Sequence, residues 1–193
     1  MLGIILCGGQ SSRMGTDKGL LQYEAKTWAQ TAIEKLSVLN IPIQLSINEQ
    51  QQTEYAKVFK PELLIVDNAA LDIKGPLLGV LSAHLQNPVN DLFLLACDLP
   101  LMEPALLKEL FALYQSKKYE VYIYTNNKEP EPLCGIYTAK ALKKIIALQK
   151  QDKLLRHSMK FILSQLIVCE ISLHENQKKF FRNFNAHAQL NGL

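Results

Sequence analysis

Four apolar runs of strand length, Leu2 to Leu6, Ile43 to Ile47, Leu63 to Val66 and Leu92 to Ala96, alternate with longer stretches whose apolar residues recur at helical spacing. Short apolar runs separated by amphipathic segments fit strands buried on both faces, in a largely parallel sheet covered by helices. The clearest helix runs from Trp28 to Leu39, with Ala32, Ile33 and Leu36 on its apolar side, and Asn40 ends it ahead of Pro42. Further helices are predicted over residues 50–59, after the loop Gly75-Pro76-Leu77-Leu78-Gly79 through about Leu85, from Pro104 to about Gln115, from Ala139 to Leu148 and from Leu154 to Leu163. Val121 to Tyr124 and Leu133 to Tyr137 read as strands around a polar turn from Thr125 to Pro130, and Ile167 to Ile171 as an antiparallel edge strand. No repeat, linker or low-complexity stretch interrupts the 193 residues. The expected architecture is one domain over 1–193, a three-layer α/β/α sandwich with a Rossmann-like, mostly parallel sheet and an antiparallel edge.

Each of the first strands ends in polar residues. The first empties into Leu6-Cys7-Gly8-Gly9-Gln10-Ser11-Ser12-Arg13-Met14-Gly15-Thr16-Asp17-Lys18, the second ends at Asn48, the third at Asp67 and the fourth at Asp98. Parallel strands would set these ends along one sheet edge, where open α/β folds bind ligands. The glycine loop suits a phosphate chain, since glycines let backbone N–H groups approach an anion while Arg13 and Lys18 supply charge. It is not a Walker A loop, because five residues separate Gly9 from Gly15 and Thr16 follows; nor does it have the Gly-x-Gly-x-x-Gly spacing of dinucleotide folds. A Gly-Gly pair alone would be an ordinary βα turn. A loop of about a dozen residues that also carries Arg and Lys is longer than a plain connection needs.

Asp98 ends the most apolar strand and precedes Leu99-Pro100. An unpaired carboxylate beside a buried layer is costly, and a divalent cation is a reason to keep it. Taken singly, Asp67 or Asp98 also reads as a helix N-cap. Their convergence with Asn48 on a phosphate loop weighs against that simpler role.

The pattern Leu-x-Gly-Gly-x-Ser-x-Arg-Met-Gly-x-Asp-Lys over residues 6–18 resembles the signature of nucleotidyltransferases that activate sugars and pterins, and most of all that of the molybdenum cofactor guanylyltransferases. Cys97-Asp98-Leu99-Pro100 is similar to that family's metal-binding Asp-x-Pro, and Gly75-Pro76-Leu77-Leu78-Gly79 to a loop whose small residues leave space for base and ribose. Glu131 to Tyr137 resembles the segment beside the acceptor site, and Phe181-Arg182-Asn183-Phe184-Asn185 the closing Phe-x-Asn-x-Asn. Two departures stand out: Cys7 where Ala is usual, and Ala186-His187-Ala188 in place of Thr-Pro-Glu/Asp.

The resemblance implies a nucleotide-diphospho-sugar transferase-like fold and transfer of GMP from GTP to the terminal phosphate of molybdopterin, with or without its molybdenum, releasing pyrophosphate. Arg13, Lys18 and Asp98 would be the catalytic residues, with Mg²⁺ on Asp98. Leu6, Cys7, Gly8, Gly9, Lys18, Asn48, Asp67, Gly75 and Asp98 would bind the nucleotide, backbone groups of Leu6, Cys7 and Gly8 meeting guanine. Pro132, Arg156, Asn183 and Asn185 would face the acceptor, and apo-molybdoenzymes or their chaperones would receive the product. Alternatives are a cytidylyl- or sugar-phosphate nucleotidyltransferase of the same superfamily, or a non-catalytic carrier of molybdopterin or nucleotide. An intact Arg13, Lys18 and Asp98 set argues against the carrier.

The rest of the composition narrows other classes. A net charge of +3 suits an anionic small molecule and does not call for nucleic acid, while the cluster Lys178, Lys179 and Arg182 reads as a solvated basic face. No apolar run approaches the ~20 residues of a membrane span, and no Lys or Arg precedes the first apolar stretch as in an export signal, so a cytoplasmic protein is expected. The four cysteines, Cys7, Cys97, Cys134 and Cys169, are far apart in sequence and read as core residues rather than zinc ligands or disulfides. The histidines His84, His157, His174 and His187 read as surface or helix residues, leaving the strand ends without a general base.

Overall fold

The computed structural model describes residues 1–8, 17–23, 25–116 and 118–184. A seven-stranded sheet runs through it in the order β5 (Leu64–Val66), β4 (Ile43–Ile47), β1 (Leu2–Leu6), β6 (Leu92–Ala96), β8 (Glu129–Tyr137), β7 (Val121–Asn126), β9 (Val168–Ser172). Strands β5, β4, β1 and β6 are parallel, as their apolar runs predict. A separate two-residue hairpin, β2 (Gln22–Tyr23) with β3 (Lys26–Thr27), leads into the first helix.

Alternation along β1 divides the core. Ile5 and Cys7 join one cluster with α1 (Trp28–Ser37) and α4 (Pro104–Tyr114), through Ala32, Leu36, Leu106 and Leu110. Leu2, Ile4 and Leu6 join the other with α3 (Pro76–Gln86), α5 (Ala139–Lys150) and α6 (Met159–Leu163). The sheet is thus buried on both faces, giving the three expected layers. Helix starts are set locally. In α1, Thr27 and Gln30 form a reciprocal capping box, with N–H donors to Thr27 Oγ1 at 3.2 Å and to Gln30 Oε1 at 2.8 Å. The helix ends at Ser37, and Asn40 takes a left-handed φ of 52° before the chain enters β4.

The second half departs from the expected elements. The antiparallel strand is not at the edge: β8 lies inside the sheet, antiparallel to both β6 and β7. Asn127 and Lys128 both adopt positive φ, of 52° and 68°, which makes a tight hairpin where a longer polar turn was expected and starts β8 at Glu129. The strand expected at Ile167 does form the edge, as β9, but runs parallel to β7 after a crossover through α5 and α6. The helix expected from Leu154 begins only at Met159, where Ser158 Oγ accepts from Phe161 N–H, and residues 151–158 form a loop. Residues 50–59 hold only a short α2 (Gln52–Tyr55) behind a 3₁₀ turn at Glu49–Gln51.

Among the described residues no helix is long and apolar enough to cross a membrane. Cys7, Cys97 and Cys134 are buried free thiols, as expected, and Cys169 is half-buried. His84 lies on α3 but is buried, and burial lowers its pKa.

Candidate active site

The parallel strands bring their C-terminal ends to one edge, and strand alternation decides which side chains meet there. Leu6 faces the α3 side, and so does its register partner Ser46 on β4. Ser46 pairs onward with Ile65 of β5, in the same core cluster. Two residues further along each chain come Gly8, Asn48 and Asp67, which the period of two directs to that same side. Helix α3 covers this corner with Gly79. A Cβ on Gly79 would stand 2.3 Å from Ser46 Oγ and 3.4 Å from Asp67 Oδ1, so the missing side chain is what lets α3 pack this closely on both. Both oxygens are buried and lack a hydrogen-bond partner among the described residues. Burial pushes the Asp67 carboxyl up to about 6. Buried polar atoms are normally paired, so these two define a niche that asks for donors.

The charged side of the edge lies between β1 and β6. Asp17 caps a 3₁₀ turn, Lys18–Leu20, accepting from Gly19 N–H at 2.9 Å. The turn places Lys18 Nζ 3.6 Å from Asp98 Oδ2, with the two side chains 30% and 22% exposed. Burial raises the pKa of Asp98, and the Lys18 ammonium beside it acts in the opposite direction. The C-terminal segment docks behind this carboxylate: Phe184 N–H donates to Asp98 C=O at 3.1 Å, and its ring packs on Trp28 beside Leu21 and Leu101.

Between the niche and the ion pair opens a cleft of about 880 Å³. Of the sequence-predicted residues, Leu6, Cys7, Gly8, Lys18, Asn48, Asp67, Gly75 and Asp98 line it. Gly9, Arg13 and Asn185 lie outside the described residues. Pro132, Arg156 and Asn183 are not among the described residues lining the cleft. The Pro132 carbonyl accepts from Tyr137 OH at 2.9 Å, and Arg156 is exposed in the loop before α6. Asn183 is exposed, but the Phe184–Asp98 bond carries its backbone to the cleft's charged side.

The expected backbone contacts to a base narrow in the structure. Cys7 and Gly8 N–H groups both donate to Ser46 C=O, Leu6 C=O accepts from Cys97 N–H, and Cys7 C=O accepts from Gln51 Nε2. Each carbonyl keeps a second lone pair, but the N–H groups are spent on the sheet. Asn48 Oδ1 likewise accepts from Gln51 N–H at 3.0 Å, so its oxygen is committed to the turn. Ser46, Gln51 and Tyr55 carry no site signal in the sequence. Ser46 sits at an alternate position of Ile43-Gln44-Leu45-Ser46-Ile47, where a half-exposed strand would place a solvent-facing residue, yet it is 1% exposed.

Magnesium is commonly held by one or two carboxylates together with substrate phosphates. Asp98, a half-buried carboxylate on a cleft large enough for a whole nucleotide, fits that mode. The described residues contain no group of three or more His, Cys, Asp or Glu able to cage an ion without the substrate.

Comparison with known proteins agrees with this fold. A profile of the MobA-like NTP transferase domain matches residues 3–167. A probable molybdenum cofactor guanylyltransferase of Flavobacterium johnsoniae is 29% identical over 189 residues, 98% of this chain and 94% of that one. A molybdenum cofactor guanylyltransferase of Campylobacter jejuni is 33% identical over 136 residues, 69% of this chain and 66% of that one. Among solved structures, molybdopterin-guanine dinucleotide biosynthesis protein A of Archaeoglobus fulgidus superposes with a TM-score of 0.77 at 20% identity, covering 100% of this chain and 96% of that one. A strand-end cleft with a lysine, a half-buried carboxylate and a glycine-lined niche is therefore found in a chain that belongs to the MobA-like NTP transferase family.

Proposed function

We propose that this nucleotidyltransferase transfers GMP from GTP to the terminal phosphate of molybdopterin, releasing pyrophosphate and giving molybdopterin guanine dinucleotide. The observation that carries the reading is the pairing, across one cleft, of the Lys18–Asp98 site with the glycine-made niche at Asp67. Guanine presents adjacent N1–H and N2–H donors. A carboxylate on the cleft wall, as Asp67 is, can accept such a pair, which supports GTP over CTP.

The nucleophile needs no base. A phosphate monoester has a second pKa of about 6 and is mostly dianionic at neutral pH. Catalysis then rests on aligning two polyanions and offsetting their repulsion. Lys18 sits at the strand end where the triphosphate passes, neutralising it and the charge that builds on the α-phosphoryl group. Arg13, outside the described residues, is assigned the same phosphates. Asp98 would hold Mg²⁺, which would supply further neutralisation of the phosphate charge. Asp67 and the small residues Gly75 and Gly79 receive base and ribose. Asn183, drawn to Asp98 by the Phe184 backbone, is assigned to the acceptor side with Asn185, Pro132 and Arg156.

The test is to incubate the protein with Mg²⁺, molybdopterin and each nucleoside triphosphate in turn, and to assay pyrophosphate. Release with GTP alone among the nucleotides is expected. Release with CTP instead, or with none, would refute the proposal.

A further inference from the structure

One buried amide holds both flanks of the glycine loop. Gln51, 7% exposed, donates through Nε2 to Cys7 C=O at 2.9 Å on the loop's entry side. The same nitrogen donates to Asp17 Oδ2 on its exit side. Its Oε1 accepts from Asn48 N–H at 2.8 Å, so the one side chain also joins the end of β4. Every hydrogen-bonding group of the carboxamide is engaged, which leaves it a single orientation.

Tyr55 completes the arrangement. It is fully buried, stacks on Phe59, and its hydroxyl donates to Asp17 Oδ1 at 2.6 Å. Burial first, and then the acidic groups around it, push the phenol well above its usual range, so it stays a proton donor to the carboxylate. Gly19 packs directly on it, since a Cβ there would lie 2.1 Å from the Tyr55 oxygen. Asp17 therefore receives Gly19 N–H, Tyr55 OH and Gln51 Nε2, while the next residue, Lys18, points to Asp98. The two donors come from the segment after β4, some 30 to 40 positions away from Asp17 in the chain.

We infer that Gln51 and Tyr55 are positioning residues, a clasp that closes the base of the glycine loop and, through Asp17, fixes Lys18 against the phosphates. The inference rests on the phosphate role given to Lys18 above. Neither side chain touches substrate; they act by fixing where the ammonium stands. A charge-assisted hydrogen bond held inside the protein costs no reordering when the ligand arrives, so its loss is felt as weaker phosphate binding.

The experiment compares the wild type with Tyr55→Phe, Gln51→Leu, Lys18→Ala and the double variant Tyr55→Phe/Lys18→Ala. Calorimetric affinity for magnesium tripolyphosphate is the readout, because this probe has neither base nor acceptor. Tyr55→Phe retains the ring and its packing on Phe59, and thermal melting checks that the fold is kept. It should weaken tripolyphosphate binding roughly tenfold, and Gln51→Leu by more, since loss of a hydrogen bond to a charged group is of that order. In the Lys18→Ala background Tyr55→Phe should have no further effect. Unchanged affinity in Tyr55→Phe, or an equal loss with and without Lys18, would overturn the clasp, because a general loss of structure does not depend on Lys18. Failure of the wild type to bind tripolyphosphate would also overturn it. Tripolyphosphate binding that follows the expected pattern, in a protein without GTP-dependent turnover, would support the clasp and remove only the guanylyl-transfer reading.

Discussion

Gly79→Ala separates packing from recognition in a single position. The added Cβ would lie 2.3 Å from Ser46 Oγ, about an ångström inside ordinary contact, and 3.5 Å from Ser46 Cβ, which is ordinary contact. Only the hydroxyl is in the way. Two stability effects oppose each other: overpacking costs about 1–3 kcal/mol, and replacing Gly by Ala within a helix returns about 1 kcal/mol. A net loss of roughly 0–2 kcal/mol is expected, and Ser46→Ala/Gly79→Ala should recover it, since the clashing oxygen is then gone. The effect on the nucleotide is different. The new methyl group would also press within 3.4 Å of Asp67 Oδ1, and the shift of Ser46 or α3 that relieves the clash would move that carboxylate from where the base is to meet it. Losing hydrogen bonds to a carboxylate costs about 1.5–3 kcal/mol, so GTP affinity should fall roughly 10- to 100-fold in the single variant and recover in the double, where no shift is needed. Magnesium tripolyphosphate affinity should not change. Chemical denaturation measures the first effect and calorimetry with the two ligands the second. Wild-type GTP affinity in Gly79→Ala would show that the base does not depend on how α3 sets Asp67. A double variant no more stable than Gly79→Ala would show that Ser46 Oγ is not the obstacle.

Asp67 should also impose a pH dependence on GTP binding. Its carboxyl titrates at about 6 and must be ionised to accept guanine donors, so affinity should fall as pH drops below about 6 and level off above it. Asp67→Asn should flatten the difference from the wild type, which removes the titration of GTP itself from the comparison, and a retained step would refute the assignment. The same raised pKa acts on stability with the opposite sign: between the ordinary carboxylate range and about 6 the folded state holds the proton more tightly, so this group's contribution weakens as pH rises, and Asp67→Asn should abolish that component of the denaturation profile. Lys18→Ala should lower turnover by ~10²–10³ without unfolding the protein, as for loss of one transition-state donor, and normal turnover in that variant would remove Lys18 from the mechanism. Asp98→Ala should abolish Mg²⁺-dependent GTP binding in a metal titration, whereas unchanged metal affinity would place the ion elsewhere.

Much of this could be read from local chemistry. The apolar runs of β1, β4 and β6 have the residue bounds the pattern predicts, and Asn48, Asp67 and Asp98 follow their strands where an edge site needs them. Caps such as Thr27 and Ser158 are local as well, since a side chain three residues from its partner needs no tertiary help. The second half was harder because turn geometry, not hydrophobic period, set it. Positive φ at Asn127 and Lys128 tightens the hairpin that pairs β8 with β7, while pairing with β6 on its other side puts β8 inside the sheet and leaves β9 as a parallel edge.

The sequence by itself therefore determined the carboxylates at the strand ends and the alternation that makes a layered α/β fold. Only the tertiary structure decided the sheet order, the burial of Ser46 beneath Gly79, and the grip of Gln51 and Tyr55 on Asp17. The physical reason is range. Periodicity and capping act over three or four residues, whereas Gln51 meets Cys7 across 44 positions and Tyr55 meets Asp17 across 38. Those contacts exist only once parallel β1 and β4 have paired in register and brought their ends together.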